Sequence, residues 1–148
     1  MAMRQAVLVA LALVLLPGCG GASGPPLTKG QYASKADAIC ASTNGKIRSL
    51  GKPKSLPDLA NVADKTLPLL DRAIRDFSKL EPPASEKAVS DQWLTQLRNL
   101  VGDLRGIRDE AKTGNIQGVK ALVPKATDHN SKSNALAAQL GMSVCNKD

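Results

Sequence analysis

The sequence predicts an all-α protein, a four-helix up-down-up-down bundle that follows a signal peptide and a flexible linker. Three observations carry this expectation. Apolar residues recur at spacings of three and four through four separate stretches, the period of a helix with one face turned to a core. Glycine and proline clusters break the chain between those stretches and leave only short joints. No segment sustains the period-two alternation of a half-buried strand. Four amphipathic stretches with short joints pack most simply as antiparallel neighbours. A different α-helical arrangement is the competing solution.

The first element stands apart from the bundle. Met1 to Gln5 carries one positive charge, Arg4, and an apolar run of about 11 residues follows from Ala6 to Leu16. That is roughly half of what a membrane-crossing helix needs, and Pro17-Gly18 ends it. A basic start, a short apolar stretch and small residues at its end are the features of a secretory signal, here residues 1–18. Leu16-Pro17-Gly18-Cys19 resembles the lipobox of bacterial lipoproteins, with Leu at −3, a small residue at −1 and the Cys. Pro17 departs from the commoner Ala or Ser at its place. The resemblance implies that the Cys19 thiol is joined to diacylglycerol and that the Gly18–Cys19 bond is cut. It also implies an exported protein held at the outer face of the cell membrane. Two acyl chains give a stable anchor where one gives a marginal hold.

Residues 19–27 then form a flexible linker. Gly20-Gly21-Ala22-Ser23-Gly24-Pro25-Pro26 has nothing with which to build a core.

The bundle domain spans residues 28–148. Its first helix runs from Thr28 to Leu50, with Tyr32, Ala36, Ile39, Cys40, Thr43, Ile47 and Leu50 inward, and Gly51-Lys52-Pro53 stops it. The second runs from about Leu56 to Leu80 on a stripe of Leu59, Val62, Ala63, Thr66, Leu70, Ala73, Ile74, Phe77 and Leu80. Pro68 lies inside it, where a missing N–H and a ring clash kink a helix or split it. Pro82-Pro83 is the hardest stop, after which Ser85 is placed to cap a third helix from Glu86 to about Lys112. Its stripe is the cleanest: Val89, Trp93, Leu97, Leu100, Val101, Leu104, Ile107 and Ala111. Gly114-Asn115 supplies a stop and a new cap. The last helix carries Val119, Leu122, Val123, Ala126, Leu136, Ala137 and Leu140 inward, with Pro124 inside it, and Gly141 ends it.

Three cysteines are present. With Cys19 assigned to lipid, Cys40 and Cys145 remain as an even pair in an exported protein, which predicts a disulfide. Two unpaired buried thiols are the alternative. In the antiparallel topology the start of the first helix and the end of the fourth share one pole, so the pair can meet. Tyr32 to Cys40, Leu80-Glu81-Pro82-Pro83 and Leu140 to Cys145 are also similar to a pattern in small exported proteins of high-GC Gram-positive bacteria. That resemblance supports the bundle and the bridge and implies no activity.

No catalytic constellation emerges. His129 is the single histidine, and Asp128 beside it points elsewhere on a helix, so Asp128, His129 and Ser131 do not make a triad by sequence. Asp37, Asp64, Asp71, Asp76, Asp91, Asp103, Asp109 and Glu110 mostly flank the apolar stripes beside Lys or Arg, as on solvated helix faces. No metal site or cofactor is expected. The chain carries a net charge of +7, which turns to acidic partners, and its three aromatics offer no stacking platform for nucleic acid. Lys46, Arg48, Lys52 and Lys54 crowd the first joint and Lys112 and Lys120 flank the third, so a basic patch is expected at the pole opposite the tether. The expected function is a non-enzymatic binding or scaffolding module of the cell envelope, anchored to the membrane. The alternative is a carrier of a small apolar ligand in a cavity between the helices.

Overall fold

The structure, a computed structural model, describes residues 25–147. The expected signal peptide, the lipobox from Leu16 to Cys19 and the first part of the linker lie outside those residues. Four helices follow in order: α1 (Lys29–Ser49), α2 (Leu56–Phe77), α3 (Lys87–Lys112) and α4 (Ile116–Gln139), with a 3-10 turn at Ala84–Glu86 before α3. They form the antiparallel bundle expected.

Each boundary has a chemical cause. Thr28 and Gln31 make a reciprocal box at the start of α1, the Thr28 hydroxyl accepting from the Gln31 N–H at 3.3 Å and the Gln31 amide oxygen from the Thr28 N–H at 3.0 Å. Ser55 caps α2 through the Asp58 N–H at 3.2 Å, and Pro57 sits in the first turn, where no donor is needed. Gly114 ends α3 at φ 73°, and the N–H groups of Gly114 and Asn115 fold back on Ala111 and Glu110. Asn115 then caps α4 through the Gly118 N–H at 3.1 Å.

Two sequence expectations need correction. Ser85 does not cap α3: it lies within the 3-10 turn that Pro83 starts, and the residue at the cap, Glu86, makes no side-chain cap bond. Val123 is not inward but 46% exposed, because the buried row of α4 runs Val119, Ala126, Ser133 and Ala137 and leaves Val123 on a flank. Neither Pro68 nor Pro124 splits its helix. Both prolines lie on exposed faces, as do Asp64 and Lys120 four residues back, so water can replace the lost backbone donor.

The core divides along the bundle axis. At the pole where the chain enters, Tyr32, Ala33, Ala36, Phe77, Trp93, Leu94, Leu140 and Met142 pack together, and the Phe77 and Trp93 rings meet edge-on at 4.7 Å. The other pole is built around Ala60, Ile107, Ala111, Val119 and Ala126, with Leu56, Leu59, Leu100, Leu104 and Leu122 beside them. All of these come from α2, α3 and α4. Helix α1 packs mainly on α2 and has no buried residue after Ala36.

What holds α1 lies in its first half. The Tyr32 and Ser90 hydroxyls share a buried hydrogen bond of 2.6 Å, and Lys29 pairs with Glu86 at 3.2 Å. Cys40 is bonded to Cys145 as expected, with Cα atoms 5.4 Å apart. One turn earlier, Asp37 accepts from the N–H groups of Ser143, Val144 and Cys145 at 2.8, 2.8 and 3.0 Å and from the Ser143 hydroxyl at 3.0 Å. The tail is thus fixed to α1 by a covalent bond and a carboxylate three residues apart.

Candidate functional site

The charged residues sort into two populations. Nearly every carboxylate is spent inside the fold. Asp71 pairs with Arg105 at 2.6 Å and Asp64 with Lys112 at 2.9 Å, bridging α2 to α3. Asp91 pairs with Lys87, Asp109 with Arg108, Asp128 with Lys132, and Glu110 accepts from Asn115. The residue pairs that read as solvated faces are therefore partly interhelical links. His129 is half-buried and its Nδ1 meets Asp103 at 2.5 Å across α3 and α4, while Asp128 faces Lys132. The Asp128, His129 and Ser131 grouping is not assembled. Among the described residues no group of three or more His, Cys, Asp or Glu is placed to hold a metal ion.

The cations at the far pole behave differently. Lys46, Arg48, Lys52 and Lys54 are all exposed, and none forms an ion pair with a described residue. Lys112, expected beside them, is taken by Asp64. The structure adds Lys65 and Arg72, which the sequence did not single out, because α2 brings them to the same side.

That side is a seam between α1 and α2. Asp58, Val62, Lys65, Leu69, Arg72 and Asp76 recur at spacings of three and four, with Asn61 and Ala73 beside them, so they form one continuous strip of α2. Two depressions lie along it. One, of about 300 Å³, has Ala38, Ile39, Leu69 and Ala73 in its lining with Lys46 and Arg72 beside them. The other, of about 380 Å³ and nearer the first joint, joins Leu50 and Val62 to Lys52, Lys54 and Lys65. The acids of the seam are engaged. Asp58 accepts from the Lys54 N–H at 3.2 Å. The hydrogen bond from Lys79 holds the Asp76 carboxyl below its usual range.

The interior offers less. A crevice of about 120 Å³ opens between the four helices beside Cys40, Leu70, Phe77, Leu97, Leu100 and Cys145. That is smaller than the few hundred Å³ of most small-molecule sites. No described helix is long and apolar enough to cross a membrane.

The arrangement thus presents an open, elongated, cationic surface with an aliphatic floor. Comparison of the chain with family models, curated proteins and solved structures finds no match.

Proposed function

We propose that this chain is a lipid-anchored module of the outer membrane face that binds an acidic partner without catalysing a reaction. One observation carries the reading: among the described residues Lys46, Arg48, Lys52 and Lys54 have no ion-pair partner, whereas the carboxylates elsewhere are mostly consumed by the fold. Unpaired like charges at one pole repel one another, and an anionic partner relieves that repulsion. The lipobox-like Leu16 to Cys19 supports the anchor, and the linker that follows supports a bundle held away from the lipid surface. The basic pole is then the end turned outward, since α1 begins at the tethered end and spans 21 residues, roughly 30 Å.

The test has two arms. Cys19→Ala removes the lipidated thiol and shifts the protein from the detergent phase to the aqueous phase; unchanged partitioning rules out the anchor. Exchanging Lys46, Arg48, Lys52 and Lys54 together for Gln leaves the helical circular dichroism intact and abolishes retention on immobilised polyglutamate at low salt. Retention by the fourfold variant rules out the basic pole as the binding surface.

A further inference from the structure

We infer that the seam between α1 and α2 is a docking groove for an acidic amphipathic helix of a partner protein. This narrows the acidic partner proposed above and rests on that reading. The first argument is shape. From Asp58 to Asp76 the seam follows α2 for about 27 Å, at 1.5 Å per residue. Both depressions along it are open, so an occupant lies on the surface with one face covered, as a helix does in a groove.

The second argument is spacing. Helix α2 contributes Val62 to the aliphatic floor of one depression and Leu69 to that of the other, seven residues apart. That places them about 10.5 Å apart along the axis, the separation of residues i and i+7 on a helix lying alongside. The flanking cations Lys65 and Arg72 repeat the same interval. A partner helix with two aliphatic anchors at i and i+7 and carboxylates beside each would meet an apolar floor and a cation at both places.

The third argument is charge. Lys46, Lys52, Lys54 and Lys65 border the seam without an internal acid, and Arg72 touches Asp76 only at 3.9 Å. A basic helix is repelled there, and a neutral one gains only the apolar contact.

The probe is a designed helical peptide of about 18 residues, the length that spans the seam. It carries Leu at i and i+7, Glu on both flanks and Lys only on the opposite face. A scrambled peptide of the same composition serves as control. Titrated into the full isotope-labelled chain, the helical peptide shifts the amide resonances of Val62, Lys65, Leu69, Arg72 and Thr43. The scrambled peptide binds at least about tenfold more weakly. Lys65→Glu with Arg72→Glu, both exposed positions, lowers affinity for the helical peptide by at least about tenfold and leaves the fold unchanged. Equal binding of the two peptides overturns the groove but leaves the acidic-partner reading standing. No binding of either, together with no retention on polyglutamate, overturns both. Seam resonances that respond to vesicles containing anionic phosphatidylglycerol and not to the peptide assign the surface to lipid and overturn the helix.

Discussion

Asp37 shows how much one side chain can decide. Burial raises its pKa, but three backbone N–H donors and the Ser143 hydroxyl lower it by more, so the carboxyl sits below its ordinary value. A group whose folded pKa is depressed contributes stability that is present above its unfolded value, near 4, and is lost as pH falls through the lower folded value. Acid therefore weakens the hold of α1 on the tail at this point, with the disulfide still in place. Asp37→Asn should cost about 2 kcal/mol at neutral pH, since it weakens several charge-assisted bonds at once. It should also flatten the pH dependence of stability below about pH 4. Urea denaturation of both proteins across that range checks the sign. The sequence showed Asp37 only as a carboxylate flanking an apolar stripe. Its partners lie over a hundred residues away, and no local pattern announces them.

Among the elements, α1 is the one whose sequence and structure diverge most. Its spacing of Tyr32, Ala36, Ile39, Cys40, Thr43, Ile47 and Leu50 reads as a continuous inward stripe. The structure buries only the beginning, because α2, α3 and α4 already close the core at the far pole. Periodicity reports that a face is apolar; it does not report how many neighbours are left to cover it. The seam was hidden for a related reason: Val62 and Ala73 read as part of the inward stripe of α2, and Leu69 and the cations beside it stood out in no pattern. Breakers, in contrast, act locally and were legible, as Gly51-Lys52-Pro53, Pro82-Pro83 and Gly114-Asn115 each ended or restarted a helix where expected. The weak half of α1 contains Gly45, which faces open space in a helical conformation. Gly45→Ala should stabilise α1 by about 0.5–1 kcal/mol through reduced backbone entropy. Thermal unfolding should register it as a rise of a few degrees; a fall would show that the position is strained.

At the scale of the whole molecule, helix count and cysteine pairing point to one topology. The antiparallel order brings the start of α1, the 3-10 turn and the end of α4 to one pole, where Leu27 also donates to the Glu81 carbonyl at 3.0 Å. Cys40 and Cys145 meet there across 105 positions of sequence, a closure worth roughly 4–5 kcal/mol in the chain-entropy picture. The exposed cations Lys46, Arg48, Lys52 and Lys54 lie around the joint at the other pole, so substitutions among them leave the larger core untouched.

The Cys40–Cys145 bond has a mechanical meaning as well. Tension applied between the two chain ends enters α1 from one side and the tail from the other, and both routes converge on the same pair of sulfur atoms. The load then passes through the covalent link and bypasses the helices between. Pulled by its ends in an optical trap, the oxidised protein should extend only by the short segments outside the bridge. Reduction should release the 105-position interval, adding roughly 360 Å of contour at about 3.4 Å per residue. A full-length extension without reductant would show that the force runs through the helices after all. In a domain tugged at its ends, most of the chain then carries no load.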